Sequence, residues 1–298
     1  MVLENSYRVA KIFLSTWRWL VFYLILSVSI CVCYLEFGIN FSFPNGEVGM
    51  IGTALSILMG FRVNSAYERW WEARTIWGSI VNNSRSLARE VIGFTSSGDH
   101  ASPDAQQMIH RQIAFVQATT RQLRRQQGAI FLRTLVSNKE YSILDKKQHL
   151  PNALLLLHMQ QLKELYEKKQ ITDFVFVQLE TILTELTNNL GQAERIKNTP
   201  FPVPYSYFSF ILVHIFACFF PFGMVEELGY LTIPISLIVT FIFLVIEQIA
   251  VEIQDPFASK DNDTPMTTIS KSIEINLREM LGEEDLPIQI TPKTGVLM

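Results

Sequence analysis

The chain contains four apolar stretches, over about 16–38, 48–63, 207–225 and 228–251, and each is a candidate to span a membrane. A helix needs about 20 residues to cross the hydrocarbon core. The second stretch is short and contains several glycines, and the third is expected to be interrupted where proline and glycine occur near its end. Small residues favour close packing between membrane helices, so we expect these spans to be buried against protein.

Basic residues predict how the spans are oriented. They come before the first and third stretches and after the second and fourth, whereas the connections 39–47 and 226–229 contain neither lysine nor arginine. Because basic residues concentrate on the cytoplasmic side, both termini and the long middle region are predicted to be cytoplasmic. The first eight residues lack the features of a removable signal peptide. We therefore expect a multi-pass membrane protein.

The middle of the chain has the apolar periodicity of helices and no convincing alternation of β-strands. Helices are predicted to begin at Ser102-Pro103, at Pro151 and at Thr172-Asp173, whereas the polar segment 138–148 is predicted to be a turn. The proline-rich stretch 198–205 marks the return to the membrane.

One further amphipathic helix is predicted over 269–281, after a loop. The fold class is therefore all-α, with four transmembrane helices and a large helical cytosolic region. This predicts four parts: 1–63 with the first two spans, 64–199 as the cytosolic helical region, 200–254 with the last two spans, and 255–298 as a cytosolic tail.

Composition agrees with this mixed architecture. Of the 298 residues, 49% are hydrophobic and 18% charged, which is too apolar for most soluble proteins and too charged for a pure membrane bundle. The net charge of −3 offers no basic field for nucleic acid. The cysteines and histidines lack metal-ligand spacing, and no nucleophile elbow, P-loop or dinucleotide fingerprint occurs. We expect no enzyme, no catalytic residue, no metal and no cofactor.

A dense group of charged and aromatic residues follows the second apolar stretch. Arginines here are expected to pair with Glu68 and Glu72 and to stack on tryptophan, which requires a buried environment such as an oligomer interface. Glu247 and Glu252 end the fourth span and are expected to pair with the same arginines, because carboxylates near the membrane are costly unless paired. The group consists of Arg62, Asn64, Tyr67, Arg69, Trp70, Trp71, Glu72 and Arg74.

Thr53, Ile57 and Phe61 are spaced four residues apart and share one helical face. One interpretation is a core stripe that packs on neighbouring helices. The other is a constriction: if identical chains surround an axis, these residues form stacked rings, and bulky apolar rings can gate by dewetting. His214, inside the third span, is either a hydrogen-bonded packing residue or a participant in ion movement.

The segment Gly60 to Gly78, G-F-R-V-N-S-A-Y-E-R-W-W-E-A-R-T-I-W-G, resembles the signature of the bestrophin channel family in its prokaryotic branch. Three further motifs match in order and spacing: T-P-F-P-V-P-Y before the third span, F-P-F-G at Phe220 to Gly223, and E-I-Q-D-P-F with N-D-x-P at Glu252 to Pro265. The resemblance covers nearly the whole chain.

This resemblance implies a homopentamer in the lipid membrane, namely the bacterial inner membrane, with permeant ions crossing along one axial pore. By position, the neck of that pore is formed by Thr53, Ile57 and Phe61 on the second helix, and a second, cytosolic aperture is formed by Phe201. Family members usually carry a bulky apolar residue at the first neck position, so Thr53 departs from the pattern.

Animal members of the family carry a calcium clasp on a continuous acidic run, which is broken here. The acidic tail retains Asp255, Asp261 and Asp263, but Lys260 and Asn262 intervene. Animal members conduct anions and prokaryotic relatives resemble cation channels, so charge selectivity stays open. Two rival functions are a coupled secondary transporter, against which the lack of an internal repeat counts, and a non-conducting membrane scaffold.

Overall fold

The computed structural model describes residues 9–41, 43–96 and 101–290, and the first residues, where no signal peptide is expected, lie outside this range. None of the described residues forms a β-strand, which confirms the all-α prediction. The α-helices are α1 (Val9–Leu35), α2 (Asn45–Thr95), α3 (Pro103–Leu123), α4 (Asn138–Leu144), α5 (Leu150–Glu167), α6 (Asp173–Asn198), α7 (Val203–Leu228), α8 (Thr232–Ile253) and α9 (Met266–Met280). Within these ranges, two short 3₁₀ turns cover Ile130–Thr134 and Gly229–Leu231.

The chain forms two compact units. The apolar unit comprises Glu4–Trp70 and Pro200–Asp255, and the polar unit contains Trp71–Thr199 and the chain from Pro256 onward. Helix α2 contributes residues to both units.

Among the described residues, three helical stretches are long and apolar enough to cross a membrane by length and composition: Phe13–Leu35, Gly46–Thr95 and Tyr205–Ile253. The last of these contains both α7 and α8, which are separated by the turn Gly229–Leu231. In the apolar unit, α1, α7 and α8 pack against one another.

The interruption expected near the end of the third span is wrong, because α7 continues through Pro221 to Leu228. Proline removes one intrahelical hydrogen bond, a loss that neighbouring helices can compensate in a membrane protein. Gly223 has a packing role instead. A Cβ atom there would lie 2.5 Å from Cγ2 of Val48, so only glycine lets α7 approach α2 this closely.

The second span is part of a much longer element than its apolar stretch indicates. Helix α2 has 51 residues and does not end near residue 63. Along it, a buried position recurs at every seventh residue, at Met59, Ala66, Ala73, Ile80 and Leu87. A seven-residue repeat corresponds to about 3.5 residues per turn, which keeps the same helix face buried over many turns.

The polar unit is built around α3, which packs against α5, α6 and α9. The predicted helix starts are confirmed: the Ser102 hydroxyl accepts a hydrogen bond from the Ala105 backbone N–H, and Thr172 caps α6 through the N–H of Val175. The described residues of the tail form α9, whose buried Ile273 belongs to the same core.

The turn predicted over 138–148 is wrong, because residues Asn138–Leu144 form helix α4. Its first turn is stabilised by a capping box, in which the Ser137 hydroxyl accepts from the Glu140 N–H and the Glu140 carboxylate accepts from the Ser137 N–H. The same carboxylate forms a buried ion pair with Arg111 of α3. Burial raises the pKa of Glu140, but Arg111 and Ser137 outweigh burial and hold it below its usual value.

Candidate functional site

The row Thr53, Ile57 and Phe61 lies on the face of α2 that its own chain leaves uncovered. Ile57 is 57% exposed and Phe61 64% exposed, whereas Leu55 and Met59 on the opposite face are buried against α7 and α8. The interpretation of the row as a core stripe is therefore wrong for the single chain. A row of this kind is available to line an axis or to meet another molecule.

Arg62 is fully buried in the apolar unit, and its partner is Glu247. Its Nε donates to Glu247 Oε2 at 2.8 Å and its Nη2 donates to Oε1 at 2.9 Å, a bidentate pair. Its Nη1 donates to the Ser206 hydroxyl at 2.9 Å. The prediction that Glu247 pairs with an arginine after the second span is confirmed. The pair joins α2, α7 and α8 at one point.

Phe201, the proposed cytosolic aperture, lies against this ion pair. The Arg62 guanidinium carbon is 5.6 Å from the centroid of the Phe201 ring, within the range of a cation–π contact. The Tyr205 ring also packs against Phe201, with 5.6 Å between the ring centroids. Arg62 therefore neighbours Phe61 in sequence and contacts Phe201 in space, so one buried cation stands beside both predicted constrictions.

The expected pairing of the arginines with Glu72 is wrong, because Glu72 accepts from Arg195 of α6 at 2.5 Å. Asn64 donates to Glu68 at 2.8 Å, one helical turn away. A residue from a distant helix thus takes the place that was predicted for a local arginine.

The aromatic residues of the same segment lie largely at the surface of the chain. The rings of Tyr67 and Trp70 stack with 6.0 Å between centroids; Tyr67 and Trp71 are exposed and Trp70 is half-buried. Arg69 and Arg74 are half-buried. Exposed aromatic side chains beside half-buried arginines suit a surface that meets a further protein chain, the interface that the sequence predicts.

His214 packs among aromatic rings rather than in a hydrogen-bond network. Its ring centroid lies 4.3 Å from that of Trp19, 4.1 Å from that of Phe210 and 6.0 Å from that of Tyr23. Neither ring nitrogen has a hydrogen-bond partner within the described part of the chain. The packing interpretation is supported, and its hydrogen-bonded form is wrong.

The acidic tail uses at least one of its carboxylates to shape the loop before α9. Asp263 is buried, and its Oδ2 accepts from the Lys260 backbone N–H at 2.8 Å. Asp255 and Asp261 are half-buried. Within the described ranges, no group of three or more histidine, cysteine or acidic residues could hold a metal ion.

Long apolar helices joined by a buried ion pair define a helical membrane protein, and comparison with known proteins narrows the class. The family model described as Bacterial/Fungal Bestrophin protein matches residues 7–279. The chain belongs to this bestrophin family of ion channels, which confirms the resemblance drawn from its motifs.

Curated relatives and solved structures agree with this assignment. The chain is 30% identical over 292 residues to the voltage-dependent anion channel-forming protein YneE of Escherichia coli K12, covering 98% of this chain and 89% of that protein. It is 33% identical over 227 residues to the voltage-dependent anion channel-forming protein alr2987 of Nostoc, covering 76% and 74%. A bacterial bestrophin homologue from Klebsiella pneumoniae superposes with a TM-score of 0.81 at 27% identity, covering 89% and 98%.

Proposed function

We propose that this chain forms a homopentameric ion channel of the bacterial inner membrane, with Thr53, Ile57 and Phe61 of α2 lining the neck of the pore. The observation that carries the proposal is the exposure of this row, while the opposite face of α2 is buried in its own subunit. Around a symmetry axis, each exposed position becomes a ring of identical side chains.

The chemistry of these rings suits a gate for hydrated ions. Ile57 and Phe61 offer no polar atom to replace water of hydration, so a narrow ring of either side chain dewets and raises the barrier to passage. The Thr53 hydroxyl donates to the Gly49 carbonyl at 3.0 Å, within its own helix. Because threonine is smaller than isoleucine or phenylalanine, its side chain narrows the outermost ring less than either of them would.

A second aperture at Phe201 belongs to the same proposal. The contact with Arg62 fixes the position of the aromatic ring, and Glu247 fixes Arg62 in turn. We propose four membrane spans formed by α1, the first part of α2, α7 and α8, with both termini, the region 64–199 and the tail in the cytoplasm.

The neck itself does not choose between anions and cations, because its side chains carry no charge. The names of the curated relatives support anions as the permeant species. The resemblance to prokaryotic bestrophins supports cations. Reversal potentials in asymmetric potassium chloride determine whether anions or cations permeate, since the reversal potential shifts toward the equilibrium potential of the permeant ion.

The test of the neck is the double variant Ile57→Ala with Phe61→Ala in planar bilayers. We expect conductance to rise several-fold, because smaller rings remain wetted. The matched control is Ile51→Ala, an exposed apolar residue of α2 on a different helix face. Unchanged current in the double variant, or an equal rise in the control, would contradict the neck assignment.

Two simpler measurements separate the channel from its rivals. A mass in detergent equal to one or two chains would exclude a pore along a fivefold axis and would favour a membrane scaffold. Flux in liposomes with a fixed stoichiometry between two solutes would favour a coupled transporter.

A further inference from the structure

The polar unit contains a cavity of about 260 Å³ between α3 and α9. Three basic side chains, Arg121, Arg124 and Lys271, line it together with one carboxylate, Glu274. None of the residues proposed to line the pore borders this cavity, and most of the residues that line it have polar side chains.

The carboxylate of the cavity is already neutralised by neighbours. Glu274 Oε2 accepts from Lys271 Nζ at 3.0 Å and from Gln117 Nε2 at 3.2 Å. Its Oε1 accepts from Arg278 Nε at 3.2 Å, and Arg278 lies outside the cavity lining. The positive charge of the two arginines is therefore not balanced by this carboxylate.

Arg124 and Arg121 lack a carboxylate partner at ion-pair distance among the described residues. Arg124 Nη1 donates to the Thr267 hydroxyl at 2.7 Å, while its Nε is buried with no acceptor in the part of the chain that the structure describes. Arg121 lies over the Phe131 ring, with 4.3 Å from its guanidinium carbon to the ring centroid. Burial lowers the pKa of Arg124, an effect that the charge of Asp263 opposes. A buried donor without an acceptor costs free energy that a bound anion would recover.

We propose that this cavity binds a small phosphate-bearing anion held by Arg121 and Arg124. A phosphate group carries a charge of about −1.5 to −2 at neutral pH and offers several acceptor oxygens, which suits two guanidinium groups better than a single carboxylate does. Drug-sized ligands occupy pockets of roughly 300–1,000 Å³, so this cavity fits inorganic phosphate or a short phosphomonoester and not a nucleotide.

The position of the two arginines gives the bound anion a structural effect. Arg124 is the C-terminal cap of α3, whereas Thr267 and Lys271 belong to α9. An anion between them links the two helices and stabilises the docking of α9, the last helix in the described part of the chain. This inference does not depend on the pore, so it can hold even where the proposed conduction fails.

The experiment is isothermal titration of the full-length protein in detergent with inorganic phosphate, at fixed ionic strength and with chloride as the replaced anion. The variants are Arg124→Gln and Arg121→Gln, and the matched control is Arg125→Gln. Arg125 is adjacent in sequence but exposed and outside the cavity lining. Size-exclusion profiles confirm that each variant is folded.

We expect phosphate to bind the wild-type protein, and the dissociation constant to rise about tenfold or more in each cavity variant, because each loses a charged hydrogen bond. In Arg125→Gln the dissociation constant should stay within about twofold of the wild-type value. Glycerol 3-phosphate serves as a second probe: tighter binding than phosphate assigns the site to a phosphorylated metabolite, and equal binding assigns it to phosphate itself. Equal affinity in the wild type and Arg124→Gln, or no heat of binding at millimolar phosphate, would overturn the proposal.

Discussion

Replacing Glu247 by glutamine removes the negative charge that faces Arg62 while keeping the size of the side chain. The Arg62 side chain is fully buried and that of Glu247 is 8% exposed, so water cannot replace the lost carboxylate. Removing one member of a buried ion pair typically costs about 3–5 kcal/mol, because the remaining charge stays buried without compensation. We expect about 3 kcal/mol here, since the glutamine oxygen still accepts one hydrogen bond from Arg62.

The double variant Arg62→Leu with Glu247→Leu separates a lost charge from lost packing. Because it leaves no buried charge, it should cost less than Glu247→Gln alone. The measurement is the free energy of unfolding in an SDS titration, followed by tryptophan fluorescence. The matched control is Glu72→Gln, whose ion pair with Arg195 has exposed side chains and should contribute only about 0–1 kcal/mol.

Two results would refute this reasoning about the ion pair. One is a loss of unfolding free energy in Glu247→Gln that is no larger than the loss in Glu72→Gln. That result would mean that the Arg62 site is hydrated in the assembled protein. The other is a double variant less stable than Glu247→Gln, which would show that the pair contributes net stability beyond the avoidance of an unpaired charge.

Two further predictions concern packing and pH. Gly223→Ala should lower the thermal midpoint, because its Cβ would clash with Val48, whereas Gly191→Ala, where a Cβ meets nothing within 4 Å, should stabilise α6 by about 0.5–1 kcal/mol. Burial and the charge of Arg111 hold the pKa of His158 well below the ordinary 6.5. The unfolded chain therefore binds a proton below pH 6.5 that the folded chain does not, and stability should fall by up to about 1.4 kcal/mol per pH unit as pH decreases from there. Unfolding titrations at about pH 7.5 and 5.5 should show this loss in the wild type but not in His158→Leu.

Local chemistry made the helix starts predictable from sequence. Ser102 followed by proline, and Thr172 followed by aspartate, are signals that act within one turn, and the structure places a cap at each. The same kind of signal was available for α4, where Ser137 precedes Glu140 by three residues. The polar composition of the segment favoured a turn instead, so this capping signal was not used.

Long-range partners were only partly predictable. A carboxylate at the end of an apolar span needs a cation, so an arginine partner for Glu247 could be expected. Which arginine is the partner follows from the buried face of α2, on which Arg62 lies with Leu55 and Met59. The pairing of Glu72 with Arg195 depends on how α6 packs, and no local pattern reports that. The cavity between α3 and α9 escaped prediction for the same reason.

Helix α2 has no break between Asn45 and Thr95, so the angular phase of all its side chains is fixed together. Deleting one residue between Leu55 and Met59 would rotate everything downstream by about 100° relative to the preceding turns. Arg62 and Phe61 could then no longer both keep their places relative to Thr53. The length of this segment is thus constrained independently of its side chains, and seven residues is the shortest insertion that nearly restores the register.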